Sequence, residues 1–419
     1  MKKLNILFAV LGLLVFMIGN ADAAVVTTSG RTILVDGSPY VIKGICYNPV
    51  PKGSDQRSWA TLTQDLALMN EAGINTIRVY SPIDEKEVLD EIAAAGIKVI
   101  IGFGYNMNGY YDILSGSFID YIKKYKDHEA ILIWEFGNEY NYHPEWFEGD
   151  ITNWYTALNN AAADSKFEDS NHPTGTAHGE LPNSTALISC SNVDVWGLNV
   201  YRWDDPGPIF SEWSSASKLP MYLSEAGADR FMKVSQNGYE AGENEKMQAD
   251  ATKNILDKTF ARSDVCSGVA LFEFSDEWWK AGNPANHDEG GWAPNSNGVP
   301  YDGAPNEEYW GIVDIDRNKM EAFEVVKTKY KSIIVSNKEV ISSEGLQVYP
   351  NPSTGTINIT VESEQLVGMK YYVVNSAGVV VYEGSTSIAS QEIQIDKQGV
   401  YFLQVVTEVG VANKKFSVL

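Results

Sequence analysis

Short apolar runs separated by amphipathic stretches set the rhythm of most of this chain. Eight runs recur: Val41–Cys46, Ile74–Tyr80, Ile97–Phe103, Ala130–Phe136, Pro173–His178, Asp194–Val200, Pro220–Glu225 and Gly268–Phe274. Brief runs without polar alternation read as strands buried on both faces. Between most of them the apolar positions return at helical spacing. Leu62, Leu66 and Met69 share one face of Ser58–Glu71, and Val88, Leu89 and Ile92 one face of Glu85–Ala95. Asn244–Arg262 and Lys319–Ile334 are longer helical patterns. Ala72-Gly73 and Ala95-Gly96 place glycine where a helix ends in a left-handed residue. Eight strand–helix units predict an α/β fold, a closed (β/α)8 or TIM barrel. A doubly wound open sheet would want a glycine-rich phosphate turn after its first strand, and Gly44-Ile-Cys-Tyr-Asn-Pro has none. Ahead of that strand, Thr32–Val35 and Tyr40-Val-Ile flank Asp36-Gly37, a hairpin pattern expected to cap the barrel floor. Segments 102–117, 141–150, 202–217 and 280–308 read as long rim loops.

The pattern changes after Ile334. Residues 336–344 are polar and read as a linker, and period-two alternation follows in Thr356–Val361, Tyr371–Val374, Val379–Tyr382, Glu392–Ile395, Tyr401–Val406 and Lys415–Val418. Residues 345–419 are therefore expected to form a small all-β sandwich domain. At the other end, Lys2 and Lys3 precede the apolar stretch Ile6–Gly19 and the small-x-small site Ala21-Asp22-Ala23. That is a secretory signal over residues 1–23, too short for a stable membrane span. The barrel domain then occupies residues 24–335, and the protein is expected to be soluble and exported.

Charge narrows the partners. The chain carries −23, and removing Lys2, Lys3 and Asp22 leaves −24. Residues 345–419 hold six acids and four bases, so the middle carries about −22. Nucleic acid and anionic membranes call for basic patches, so neither is expected as a partner. A neutral glycan fits this charge better than a polyanionic one. Cys46, Cys190 and Cys266 are odd in number and allow at most one internal bridge. No Cys-x-x-Cys or Cys/His spacing suggests zinc, and no metal or cofactor is expected.

In a barrel of this kind the residues at strand C-termini face the active site. Here they are Tyr47 and Asn48, Arg78 and Tyr80, Tyr105 and Asn106, Asn138 and Glu139, His178, Asn199 and Tyr201, Glu225, and the run Glu273–Trp279. Glu139 and Glu225 close the fourth and seventh runs. Two glutamates on one rim are what a retaining glycosidase needs, one as acid/base and one as nucleophile. Glu139 would need a raised pKa, and Glu225 a cation and a phenol beside it, with Arg78 and Tyr201 as candidates. Asn138, Tyr47, Tyr80 and His178 are candidate contacts to sugar hydroxyls, and Trp278 a platform for the apolar face of a sugar ring. Trp196 reads as core.

These residues carry a resemblance. Ile133-Trp-Glu-Phe-Gly-Asn-Glu139 and Leu223-Ser-Glu225 resemble the paired strand-four and strand-seven motifs of the clan A glycoside hydrolases, over about Thr27 to Ile334. The resemblance implies Glu139 as acid/base, Glu225 as nucleophile, Asn138 as the contact to the sugar 2-hydroxyl, and Arg78 and Tyr201 as groups orienting the nucleophile. Ile42-Lys-Gly-Ile-Cys-Tyr47 and Ala72-Gly-Ile-Asn-Thr-Ile-Arg-Val-Tyr80 are similar to cell-wall β-1,3-glucanosyltransferases and related β-glucanases. The chain departs from those transferases in lacking their cysteine-rich module and in Glu273–Trp279. The expectation is a secreted retaining β-glycosidase on a neutral β-glucan, β-1,3-linked, with or without transglycosylation, acting as a monomer on poly- or oligosaccharide. The same mechanism on a β-mannan or β-galactoside is the alternative. A non-catalytic glycan-binding barrel would normally have lost one carboxylate. In the tail, Val348-Tyr-Pro-Asn-Pro352, Gly399-Val-Tyr-Phe402 and Lys414-Lys415 resemble the C-terminal sorting domain of the type IX secretion system. This implies the outer-membrane secretion machinery as a partner and a secreted or cell-surface location.

Overall fold

The computed structural model describes residues 24–291, 298–333, 343, 345–363, 366–375, 380–387, 390–407 and 411–419. The expected signal segment 1–23 and all of the expected linker but residue 343 lie outside them.

Three antiparallel strands open the chain: β1 (Val26–Ser29), β2 (Thr32–Val35) and β3 (Ser38–Tyr40). Seven barrel strands follow: β4 (Ile42–Cys46), β5 (Thr76–Val79), β6 (Lys98–Phe103), β7 (Ile131–Asn138), β8 (Thr174–Gly179), β9 (Val195–Asn199) and β10 (Met221–Ala226). A short hairpin, β11 (Phe231–Met232) with β12 (Gly242–Glu243), precedes the eighth, β13 (Cys266–Leu271). All eight are parallel, and β13 between β10 and β4 closes the ring. Closure removes the open-sheet alternative, and each of the eight predicted runs supplies one strand.

The helices α1 (Leu62–Ala72), α2 (Lys86–Ala94), α3 (Phe118–Tyr125), α4 (Ile151–Glu168), α5 (Ser184–Ser189), α6 (Gly207–Ala216), α7 (Glu245–Phe260) and α8 (Glu321–Ser332) follow the strands in turn. The main core lies between strands and helices and includes Met69, Trp134, Trp196, Trp213 and Phe323. A second cluster joins Val26, Ile33 and Tyr40 to Ile42, Ile100, Leu132 and Tyr222, so the hairpin does cap the floor. The three cysteines are buried and unbridged.

One expectation needs correcting. Segment 202–217 is not all loop, because α6 occupies most of it. Its Gly-Pro start and three serines hide the stripe, yet Ile209, Phe210 and Trp213 are buried. Helical spacing with apolar residues inside outweighs weak propensity.

Seven tail strands are described: β14 (Leu346–Tyr349), β15 (Thr356–Val361), β16 (Lys370–Asn375), β17 (Val380–Ser385), β18 (Gln391–Gln394), β19 (Gly399–Val406) and β20 (Val411–Val418). They form sheets of order β14-β15-β18 and β17-β16-β19-β20. Ile357, Ile359, Val373, Leu403 and Phe416 bury a core of their own between them. The barrel should therefore fold without its tail. A fragment of residues 24–337 is expected to unfold in one cooperative thermal transition. Aggregation or a non-cooperative melt would mean that the tail is an integral part of the barrel.

Candidate active site

The C-terminal ends of the strands open on a cleft of about 810 Å³, lined among others by Asn48, Tyr80, Asn138, Glu139, Asn199, Tyr201, Glu225, Glu277 and Trp279. Behind it lies a fully buried ion network. Arg78, on β5, spends each guanidinium nitrogen on a different partner. Nε donates to Glu135 (2.7 Å), Nη1 to Glu225 (2.9 Å) and Nη2 to the side-chain oxygen of Asn138 (2.9 Å). Burial works against the guanidinium charge, but Glu135, Tyr80 and Glu225 outweigh it and hold Arg78 well above its ordinary pKa. Tyr222 on β10 donates to the other oxygen of Glu135.

Glu225 ends β10 and accepts two further bonds. Tyr80 donates to Oε1 (2.9 Å) and Tyr201 to Oε2 (2.7 Å). Burial, with the charge of Glu225 among the causes, holds both phenols well above their ordinary pKa, so they remain donors. Three donors on two oxygens suit an anion.

Glu139 has a different setting. The chain leaves β7 through Gly137 (φ 72°), where a Cβ would meet the Trp154 ring, and Glu139 itself takes a left-handed conformation (φ 56°). Such a conformation costs a non-glycine residue ~1–3 kcal/mol and gathers at functional sites. Burial first, then the charge of Glu225, pushes the Glu139 carboxyl up to about 7, against an opposing bond from Asn199. One carboxyl thus holds its proton near neutrality beside another surrounded by donors. That division suits an acid/base and a nucleophile.

Asn138 is oriented by donors. Arg78 can only donate, so Asn138 Oδ1 must face it. Asn199 Nδ2 donates to the same oxygen (3.0 Å), while Asn199 Oδ1 accepts from Ser224 Oγ (2.6 Å).

Of the nine candidates from sequence, six come together here: Glu139, Glu225, Asn138, Arg78, Tyr80 and Tyr201. Tyr80 grips Glu225 as well as lining the cleft. Three do not join them. Tyr47 is buried away from the cleft, donating to Asp65 of α1 (2.8 Å), which also pairs with Arg317 (2.9 Å). His178 is buried, bonded to the Glu180 carbonyl (3.0 Å) and packed with Tyr155, and burial lowers its pKa. Trp278 stacks on His287 (5.0 Å) beneath the Lys52 ammonium, and its neighbour Trp279 takes the place on the cleft wall. Tyr47 and His178 do stand at strand ends, and Trp278 seven residues beyond β13, but the side chains of all three turn elsewhere.

Sequence reading assigned no role to Glu135 or Tyr222. A carboxylate inside the apolar run Ile131–Phe136 was the available signal. Nor did it rank Asn48, Glu277 and Lys280. Asn48 donates to Glu277 (2.7 Å), which pairs with Lys280 (2.6 Å). Burial and Glu277 raise the carboxyl of Glu273 well above its ordinary value.

Fold and cleft together define a (β/α)8 barrel with a two-carboxylate site at its strand ends. Solved structures agree on the fold. The chain superposes on a GH2 β-galacturonidase from Eisenbergiella tayi bound to galacturonate with TM-score 0.56 and 23% identity, covering 74% of this chain and 54% of that one. It superposes on the β-glucuronidase of Bacteroides uniformis with TM-score 0.56 and 16% identity, covering 94% and 48%. Among curated sequences it matches the protein named Probable beta-glucosidase btgE of Aspergillus terreus, 23% identical over 65% of this chain and 45% of that one. The chain spans about half the length of each of these relatives. Residues 347–419 match the family model of the secretion system C-terminal sorting domain. That tail marks the protein for type IX secretion to the cell surface or beyond. Among the described residues no helix is long and apolar enough to cross a membrane.

Removing one partner of a buried ion network costs ~3–5 kcal/mol. Arg78→Met is therefore expected to lower unfolding stability by about that much, measured by urea denaturation. Arg78→Lys should recover only part of it, because one ammonium cannot serve three separated acceptors. A loss below ~1 kcal/mol for Arg78→Met would show that the network is not structural.

Proposed function

We propose that the protein is a secreted retaining β-glycosidase acting on a neutral β-glucan, with Glu139 as acid/base and Glu225 as nucleophile. The observation that carries this is the unequal setting of the two glutamates in one cleft. Glu225 is held by Arg78, Tyr80 and Tyr201. Glu139 is pushed up to about 7 by burial and by Glu225. In the first step Glu139 protonates the glycosidic oxygen while Glu225 attacks the anomeric carbon, giving a glycosyl-enzyme and a free leaving sugar. In the second, Glu139 takes a proton from water, which displaces Glu225. The Asn138 amide supplies a donor for the sugar 2-hydroxyl, and Trp279 offers a face to the ring.

The choice of a neutral sugar rests on the cleft lining. Glu180, Glu277 and Glu307 line it besides the reacting pair. Among the described lining residues, Lys280 is bonded to Glu277 (2.6 Å) and His143 to Glu145 (2.8 Å). A uronate like the one named with the galacturonidase would meet carboxylates here. The β-1,3 linkage rests on the motifs of the first two strands, and the β-glucosidase name of the curated relative is in keeping with a glucoside. The same chemistry on a β-mannan or β-galactoside is separated by assaying a panel of polymers with reducing-end product analysis.

Roles follow from chemistry. Glu225→Ala should abolish turnover of every glycoside. Glu139→Ala should lose ~10²–10⁴-fold on an oligosaccharide and far less on an aryl glycoside whose leaving group needs no proton. Added azide should rescue the Glu139 variant as the β-glycosyl azide, read by NMR. An α-azide, or rescue of the Glu225 variant instead, would reverse the assignment.

The acid must hold its proton to act, so kcat/KM should fall as pH rises through about 7. In Glu139→Ala that alkaline limb should vanish from the pH profile of the aryl glycoside. A limb unchanged by the substitution would belong to another group.

A further inference from the structure

Two large aromatic side chains stand open on the cleft wall. Tyr142 is 52% and Tyr301 48% exposed, and both line the cleft. Tyr142 sits in the 3-10 turn Tyr140–Tyr142 that follows Glu139, and its amide bonds the Glu139 carbonyl (2.9 Å). Its ring lies on Gly179, where any Cβ would collide with it. The absent side chain at Gly179 is what lets the ring lie over the end of β8. Tyr301 is anchored by its hydroxyl to the Tyr201 carbonyl (2.5 Å) and packs edge-on against Trp203.

Glu180 lies beside these rings. It takes a left-handed conformation (φ 57°), an outlier of the kind retained where function needs it. Arg202 Nε contacts both its oxygens (3.2 and 3.1 Å), and Arg202 is itself gripped by Glu212 (3.0 and 2.9 Å). The Glu180 side chain nevertheless stays 36% exposed. Its carboxylate is thus fixed in direction and open to the cleft. Burial, with Glu139 and Glu180 nearby, pushes the Tyr142 hydroxyl up to about 12, so it stays a donor.

We infer that Tyr142, Glu180 and Tyr301 form a subsite for a neutral sugar on the leaving-group side of the cleft. This rests on the glycosidase reading above. The acid protonates the oxygen of the departing sugar, so that sugar must lie on the side of the loop that follows Glu139. Tyrosine faces take the apolar face of a sugar ring, and a fixed carboxylate accepts hydroxyl hydrogens. A uronate in this position would be repelled by Glu180. The same place would hold an acceptor sugar in transglycosylation.

The test compares two substrates: a β-1,3-linked glucose tetrasaccharide, which fills the subsite, and β-glucosyl fluoride, whose single-atom leaving group does not reach it. Tyr142→Ala and the isosteric Glu180→Gln should each lower kcat/KM on the tetrasaccharide at least tenfold more than on the fluoride. Equal losses on both substrates, or no loss on the tetrasaccharide, would overturn the subsite. Wild-type enzyme that consumes the fluoride and leaves the tetrasaccharide intact would overturn it too. Wild-type enzyme inert on both would bring down the glycosidase reading and the subsite with it. Melting curves of the two variants report whether the fold is kept, and Glu180→Gln alters no volume.

Discussion

A single guanidinium with almost no access to water fixes the geometry of this site. Moving an ion out of water costs several kcal/mol even after relaxation, and only close, well-aligned partners offset it. Arg78 meets that demand with a rigid fork of donors, one nitrogen each for Glu135, Glu225 and Asn138. Those partners belong to β7 and β10, and Arg78 to β5, so one side chain ties three barrel strands together across the interior. Tyr222 completes the set by taking the remaining oxygen of Glu135. Glu225 is thereby held from behind by charge, while Tyr80 and Tyr201 fix its remaining freedom. Positioning of this kind is in place before any ligand arrives, which is where most electrostatic benefit to a reaction comes from.

The same constraint reaches Glu139 indirectly. Its proton is held chiefly by burial and secondly by the charge of Glu225, with Arg78 acting in the opposite sense. Arg78 therefore acts on the Glu139 carboxyl in two ways. It keeps the Glu225 carboxylate near Glu139, and its own positive charge offsets part of the repulsion. Burial ranks first among the causes, so the raised pKa belongs mainly to the site's exclusion of water. Two residues of one type in one cleft are separated by their surroundings, and the strained corner at Gly137 and Glu139 is the backbone's share in that separation.

Much of this was legible in the sequence, and the reason is periodicity. Strands buried on both faces leave unbroken apolar runs, and all eight ring strands fell within or beside a predicted run. The two glutamates were legible because a charge at the end of such a run is conspicuous. What the pattern could not show was direction. Tyr47, His178 and Trp278 occupy rim positions, yet Asp65, the Glu180 carbonyl and His287 draw their side chains elsewhere. Glu135 is conspicuous as a carboxylate inside an apolar run, but its partners Arg78 and Tyr222 lie 57 and 87 residues away, so nothing local shows what it does. Helix α6 escaped because glycine, proline and serine mask an apolar stripe that only tertiary packing makes decisive.

Selection among sugars is a separate problem from bond cleavage. Arg78, Glu135, Asn138, Tyr222 and Glu225 stand on strands, where packing leaves little room for adjustment, and Tyr80, Glu139 and Tyr201 stand one or two residues beyond strand ends. The groups that would meet a sugar's hydroxyls, Asn48, Glu180, Glu277 and Tyr301, stand just beyond strand ends or on the loops. Their charges are arranged with care for sign. Lys280 lies among Glu273, Glu277 and Glu307, and Arg202 between Glu180 and Glu212, so these two cations are matched by carboxylates. An anionic sugar would have to displace one of these carboxylates from its cation before gaining anything from it. A neutral sugar needs no such exchange, because aligned carboxylates accept its hydroxyl hydrogens as they stand. On the proposed reading, the acidic lining of the cleft would favour neutral glycans over charged ones.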